Sequence, residues 1–328
     1  MTRKPFPVLT DLKLSLSGGI PVLHDEFLGG SAPHLRTVFL RYLPFPTFPK
    51  LASSATHLSE LSLWDIPIAG YISPDAMATC LATLPSLKLF EIGFRSPRSR
   101  PDQISLPPLT RAVLPALTRF VFKGVSEYLE DLVARINAPK LNRLKIHLFM
   151  DLMFNIPQLH TFIARTESTM PLNQATVTFS SSDIVMTLST PSDTVDLMIS
   201  CKEPERQASS IAQVCSQLSP LLSHVELLAI CEHPPGHARQ GNGIDPTQWF
   251  ELFALFPAMQ HLHIYDDLRP LVSRALQALT GEGATQVLPA LRSLFFKGPS
   301  PSRRTREDIQ AFIVACQHSD HPVDVHWE

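Results

Sequence analysis

One apolar spacing recurs along the chain and restricts its fold more than any other feature. The segments LTDLKLSL from Leu9, LRTVFLRY from Leu35, LSELSLWD from Leu58, LKLFEIGF from Leu87 and LTRFVFKG from Leu117 each carry apolar residues at positions one, four and six. The same spacing returns in LNRLKIHL from Leu141, LHTFIART from Leu159, LSHVELLA from Leu222, MQHLHIYD from Met259 and LRSLFFKG from Leu291. Side chains alternate across a strand, so positions four and six share a face and position one turns in beside them. A unit with so little apolar surface cannot bury it alone, but neighbours stacked side by side can. The 46 leucines, with 44% hydrophobic and 18% charged residues overall, supply enough apolar surface for one long core and exclude global disorder.

Most neighbouring starts lie between 23 residues (35 to 58) and 37 residues (222 to 259) apart. That leaves room for one strand and one helix per unit, and parallel strands need such a crossover. Glu127 to Ile136 reads as a covering helix, with Leu129, Leu132, Val133 and Ile136 on one stripe. Ser73-Pro74-Asp75 and Asp245-Pro246 place a capping side chain before a proline at a helix start. Thr305 with Asp308 reads as a capping-box variant ahead of Ile309. Pro85, Pro115, Pro139, Pro157, Pro257 and Pro289 stand just before repeats, where a ring without an N–H suits the loop feeding a strand. The long interval between Leu159 and Leu222 holds ATVTFSSSDIVMTLS, whose alternating residues around Ser181-Ser182-Asp183 predict a β-hairpin insertion over 175–190. Val195, Leu197 and Ile199 are then expected to resume a repeat strand.

The expected fold is therefore α/β: a single leucine-rich-repeat solenoid over 1–328, a horseshoe of irregular repeats with a parallel β-sheet on its concave face. Longer stretches carry a family resemblance. FPVLTDLKL, FLGGSAPHLRTVFL, PFPTFPKLASSATHLSELSLWDIP, GYISPDAMATCLATLPSL, GFRSPRSRP, VLPALTRFVFKGVSEYLEDLVARINAPKLNRLKI and DPTQWFELF together resemble the leucine-rich-repeat region of the basidiomycete F-box-like protein family. The resemblance implies substrate recognition in ubiquitin ligation, with an F-box binding the linker subunit of a cullin ligase. Only eight residues precede Leu9, too few for an F-box, so the expectation is a recognition region without its adaptor box. The linker subunit would then be met only by a longer form.

In a solenoid the strand residues that alternate with the core line the concave face, so positions three, five and seven form the candidate site. The early copies place Thr37, Phe39 and Arg41, then Glu60, Ser62 and Trp64 there. Middle copies contribute Arg119, Val121 and Lys123, then Arg143, Lys145 and His147, then Thr161, Ile163 and Arg165, a basic strip with no acid among these positions. Late copies contribute His261, His263 and Tyr265, then Ser293, Phe295 and Lys297. The net charge of −2 gives no bulk pull on an anion, so any field is local. The expected partner is an acidic or phosphorylated protein segment, with Phe39, Trp64 and Tyr265 as apolar anchors. The alternative is a solvated ridge whose charges pair with neighbouring loops.

Catalytic and metal chemistry find little purchase. Cys231, His233 and His237 have C-x-H-x3-H spacing, and His261 and His263 share a strand face, but structural zinc takes four ligands in recognisable pairs. No metal, cofactor or catalytic residue is assigned, and the chain is not read as an enzyme. Gly29-Gly30-Ser31-Ala32 lacks the final glycine of a nucleophile elbow, and Gly241-Asn242-Gly243 and Gly281-Glu282-Gly283 lack the rest of a phosphate loop. Asp266-Asp267 and Glu130-Asp131 read as solvated carboxylates. The basic stretches at Arg95, Arg98 and Arg100 and at Arg303, Arg304 and Arg306 are short, and a nucleic-acid partner is not expected. No secretion signal or membrane span is read, and five scattered cysteines suggest a reducing compartment, cytoplasm or nucleus. A free-standing interaction scaffold is the alternative function, and a metal-dependent hydrolase the second.

Overall fold

The computed structural model describes residues 6–16, 23, 26–45, 47–97, 110–149, 154–167, 172–233, 245–265, 268–279, 282–298, 300–319 and 321–328. The chain divides into two compact units, Met1–Asp151 with Asn155–Thr169, and Leu152–Phe154 with Met170–Glu328. Both are mixed α/β.

In unit 1 the repeat triplets become strands β1 (Asp11–Ser15), β2 (Thr37–Arg41), β3 (Glu60–Ile66) and β4 (Leu89–Phe94). A short β5 (Ala112–Val113) precedes β6 (Arg119–Gly124), and β7 (Ile136–Asn137) precedes β8 (Arg143–Leu148). The sheet runs β1-β2-β3-β4-β6-β8, all parallel, while β5 and β7 pair separately. Crossovers carry α1 (Phe48–Ala52), α2 (Pro74–Ala82) and α3 (Ser126–Arg135), and α4 (Pro157–Ala164) follows β8. Positions four and six face the core as period two requires: Leu61, Leu63, Phe90, Ile92, Phe120, Phe122, Leu144 and Ile146 are all buried. Phe90 and Phe120 stack across adjacent strands at 5.3 Å, and Phe162 of α4 meets Phe120 edge-on at 6.2 Å. Tyr128 of α3 packs on Phe94 at 4.6 Å and donates its buried hydroxyl to Ile72 O at 3.0 Å. Burying each such ring stabilises the unit by roughly 1.5–3 kcal/mol. The stripe read from the sequence, Leu129, Leu132, Val133 and Ile136, is buried throughout.

Unit 2 opens with a meander: β9 (Gln174–Phe179), β10 (Asp183–Ser189) and β11 (Thr194–Ser200), antiparallel in sequence. Parallel repeats resume with β12 (Leu227–Glu232), β13 (His261–Tyr265), β14 (Ser293–Lys297) and β15 (Asp324–Trp327), giving the order β11-β10-β9-β12-β13-β14-β15. The helices are α5 (Pro204–Ser216), α6 (Ser219–Leu222), α7 (Pro246–Phe253), α8 (Arg269–Ala278), α9 (Glu282–Val287) and α10 (Arg303–His318). Trp249 of α7 is fully buried against Phe179 and Phe253, at 5.5 and 5.9 Å.

Eight of the ten triplets keep the expected frame, with Leu9 and Leu14 of the first copy the half-buried exceptions among their inward residues. Two do not. LHTFIART is not a strand: its residues form α4, because Leu159, Phe162 and Ile163 also satisfy the i, i+3, i+4 spacing of a helix face and Pro157 opens the first turn. Its start follows Leu141 too closely for a full strand-and-crossover unit. In LSHVELLA, Leu222 ends α6, and the strand uses the overlapping triplet Val225, Leu228 and Ile230, three residues later. The hairpin at 175–190 is present as β9 and β10. Val195, Leu197 and Ile199 are the buried residues of β11, which returns antiparallel to β10 across the short turn Thr190 to Asp193 and so runs in the same direction as β9 and the repeat strands β12–β15; β10 is the reversed strand. Ser73 and Asp245 cap their helices through Ala76 N (3.2 Å) and Thr247 N (2.8 Å). The cap of α10 is Ser302, accepting from Thr305 N at 3.1 Å; Thr305 and Asp308 lie inside that helix, buried in its first turns.

Candidate functional site

Parallel strands in register set the outward residues of unit 1 in rows. One row reads Asp11, Thr37, Glu60, Leu89, Arg119 and Arg143; the next reads Lys13, Phe39, Ser62, Glu91, Val121 and Lys145. A third sets Ser15, Arg41 and Trp64 side by side, and Gly93, Lys123 and His147 beside one another. The structure thus brings Phe39, Arg41, Trp64, Arg119, Lys123, Arg143, Lys145 and His147 onto one sheet face.

That face is not free of acid. Glu91 sits on β4, and its side chain is only 14% exposed. Its Oε2 accepts from Ser62 Oγ and from Trp64 Nε1, both at 2.9 Å, and its Oε1 lies 3.5 Å from Arg119 Nη2. Arg41 donates Nε to Asp65 Oδ2 at 2.8 Å and Nη2 to Tyr42 Oη at 3.2 Å. The Tyr42 ring lies beneath the guanidinium of Arg41 at 4.9 Å, with that of Arg95 at 5.9 Å. Lys123 Nζ stands 5.9 Å from the ring of Phe149, which His147 approaches at 6.3 Å. Among the described residues, Arg143 and Lys145 are exposed and have no hydrogen-bond or ion-pair partner. With Lys13 of β1, also exposed, and Lys123, which has only the Phe149 ring beside it, they are the cations of this face left for a ligand. Sequence reading passed over Glu91, Gly93 and Asp65. The signal for the first two was their place at positions five and seven of LKLFEIGF, whereas Asp65 lies beyond position seven and had none.

Arg165 does not belong to the face. With Thr161 and Ile163 it falls on α4 or its C-terminus, where Arg165 Nη2 donates to Val133 O and Ile136 O at 3.1 and 3.2 Å and its guanidinium lies 5.8 Å from the Phe162 ring. Burial, then the neighbouring Arg111, hold its pKa below the usual arginine value. It joins α4 to the end of α3. The opposite end of α4 is held by Glu130 of α3, which accepts from Gln158 N at 2.6 Å and Leu159 N at 2.9 Å. Burial raises the Glu130 carboxyl to about 7 against the pull of these two bonds. Glu130 is thus a part-buried cap, not a solvated carboxylate.

Unit 2 holds the late residues. His263, Phe295 and His326 are register neighbours on β13, β14 and β15, with ring centroids 4.4 and 4.6 Å apart, and His261 stands 6.2 Å from Phe295. Tyr265 pairs with Lys297, whose Nζ lies 5.7 Å from its ring and 3.3 Å from Glu328 Oε2. Burial, then Lys297, hold the His263 imidazole below the usual histidine range. Cys231 Sγ lies 3.2 Å from Thr178 Oγ1, and the exposed His233 donates its backbone N–H to Phe179 O. His237, Arg98, Arg100, Asp266-Asp267 and Gly241-Asn242-Gly243 lie outside the described residues, as does Gly281. Among the described residues no group of three or more His, Cys, Asp or Glu is placed to hold a metal, and no helix is long and apolar enough to cross a membrane. Cys80, Cys201, Cys215 and Cys316 are buried, and desolvation raises Cys80 to about 12 and Cys316 to about 11, which keeps these thiols protonated and inert.

No family model matches the chain, and no curated protein matches it. Among solved structures it is similar to a crystal structure of a TLR13–ssRNA13 complex at 12% identity and a TM-score of 0.32, over 90% of this chain and 36% of the other. The chain thus spans about a third of that structure's length.

Proposed function

We propose that the chain is a protein-binding module of the leucine-rich-repeat kind, a target-recognition region of F-box-like type that takes an acidic or phosphorylated protein segment on the outward sheet face of unit 1. Two features support the repeat reading: triplets that keep their frame from strand to strand, and helices on the crossovers. The observation that carries the binding reading is the pair Arg143 and Lys145, exposed on β8 without partners and in register with Arg119 and Val121 of β6. Exposed cations that no acid answers lose little by meeting a ligand carboxylate or phosphate, whereas paired ones must first be freed. In this role the chain performs no catalysis, works in the cytosol or nucleus, and meets a cullin-ligase linker subunit only through an F-box carried by a longer form.

The reading is tested by recovering a partner through affinity purification, titrating it directly, and repeating the titration with Arg143→Glu/Lys145→Glu. The expected result is an affinity loss of about tenfold or more and a wild-type affinity that falls as salt rises. Unchanged affinity after the charge reversal would reject the site.

A further inference from the structure

The outward face of unit 1 carries one side chain that ordinary strand geometry does not place. Leu63 stands opposite Ile92 and Ile66 opposite Phe94, so β3 uses one residue more than β4 between them. The extra residue is a β-bulge at Trp64 and Asp65, and Asp65 lies in the left-handed region with φ 52°. A bulge re-aims the side chain it carries, and a left-handed non-glycine residue is a strain that persists only where its surroundings enforce it.

Here the surroundings all act on the Trp64 indole. Its benzo edge lies over Gly93, where an added Cβ would stand 2.5 Å from Cε3 and 2.7 Å from Cζ3. No other residue type fits beneath the ring. Nε1 is tied to Glu91, which Ser62 and Arg119 hold in turn, and Asp65 is tied to Arg41. Trp64 is nonetheless only half-buried. A strained bulge, a glycine seat and a part-buried carboxylate thus hold one aromatic surface rigid, and rigid aromatics are what binding faces use as anchors.

The surrounding charge selects the occupant. Arg41, in register beside Trp64, is paired with Asp65, and Glu91 with Arg119, so these charges cancel next to the indole and Lys123, beside Gly93 with no ion-pair partner among the described residues, leaves the near field positive. Of the exposed cations without partners among the described residues, Arg143 and Lys145 stand together on β8, two strands from β4, whereas Lys13 stands alone on β1. We infer that Trp64 is the apolar anchor for an extended acidic segment that lays one ring side chain on the indole and reaches its acidic residues over Arg143 and Lys145. Two strand spacings are about 10 Å, and Lys145 and Arg143 lie two and four residues back along β8 from His147, the residue in the row of Gly93, so the spans are about 12 and 16 Å; at about 3.3 Å per residue the acidic residues follow the ring by about four and five positions. Glu91 and Gly93 are positioning residues for Trp64. This inference rests on the protein-binding reading above and adds the anchor and the spacing.

Three labelled synthetic peptides, titrated by fluorescence anisotropy into the full chain, test it. The first has phenylalanine followed four positions later by three glutamates; the second replaces phenylalanine with glycine; the third lengthens the separation to eight positions. The first should bind about tenfold tighter than the others. Trp64→Ala should remove that advantage and leave the second peptide's affinity unchanged. Gly93→Ala should do the same while keeping the indole and a native circular dichroism spectrum. Arg143→Glu/Lys145→Glu should weaken all three peptides. An advantage that survives both Trp64→Ala and Gly93→Ala overturns the anchor and leaves the basic-face reading standing. If the charge reversal changes nothing, or no peptide binds the natively folded chain, the protein-binding reading falls and the anchor with it.

Discussion

The parallel rows of unit 1 and the antiparallel meander of unit 2 bury their inward residues by the same period-two rule, yet their outward residues do opposite things. On β10 and β11 the outward positions, apart from the facing pair Val185 and Met198, are hydroxyls and carboxylates, two pairs of which satisfy one another: Thr187 Oγ1 donates to Asp196 Oδ1 at 2.7 Å and Ser200 Oγ to Asp183 Oδ1 at 3.1 Å. On β8 the outward cations Arg143 and Lys145 have nothing to pair with among the described residues. Cross-strand pairs that close on themselves stabilise a sheet and leave no donor for a ligand. A row of unanswered cations does the reverse. The connections differ for the same geometric reason, since antiparallel neighbours need only the turns at Ser180–Asp183 and Thr190–Asp193, whereas each parallel pair needs a crossover that can carry a helix.

The largest test of this contrast is in the cores. Phe120→Ala in unit 1 should lower stability by about 3–5 kcal/mol, because it removes a ring stacked on Phe90 and contacted by Phe162. Ile184→Ala in the meander should cost about 2–4 kcal/mol. Denaturant unfolding with hydrogen exchange reads both, and a Phe120→Ala loss below that of Ile184→Ala would break the claim that the aromatic stack dominates the parallel rows.

A second contrast lies in how the two units hold helix starts. Glu130 caps α4 from a part-buried position, and its carboxyl is raised to about 7, chiefly by burial. The folded state then holds more protons than the unfolded one between the ordinary carboxyl range and pH 7, so this contribution to stability is present at low pH and is lost as pH rises through about 7. Asp245 caps α7 from an exposed position, and its bonds to Thr247 hold it below the usual range. Its contribution is present above the ordinary aspartate value and is lost only as pH falls through the lower folded value. Thermal midpoints from pH 4.5 to 8 should therefore show a downward slope that Glu130→Gln flattens and Asp245→Asn leaves alone. A slope unaffected by Glu130→Gln would count against the part-buried cap.

The smallest effects should come from the hydroxyl caps. Ser73→Ala on α2 and Ser302→Ala on α10 each remove one side-chain acceptor from a helix start and should cost about 1 kcal/mol by thermal melting. Equal losses would show that exposed caps act alike in both units.

Much of this was legible in the chain. Leu61, Phe90, Phe120, Leu144 and Leu262 announce their strands by spacing alone, and alternation around Ser181-Ser182-Asp183 announces a hairpin. The misreadings share a cause. A first-and-fourth apolar pair suits a helix as well as a strand, so LHTFIART and the frame of LSHVELLA could not be separated locally. Of the twelve residues singled out for binding, Arg165 fell with its helix, and Trp64 and Arg119 proved to be tied to Glu91.

By itself the sequence determined which residues face inward, because burial follows from periodicity and periodicity is local. Only the tertiary structure decided which outward residues remain free to bind. Glu91 answers Arg119 and Gly93 seats Trp64 across strand boundaries, between residues about thirty positions apart, and pairing at that range depends on register and on one bulge that no local pattern records.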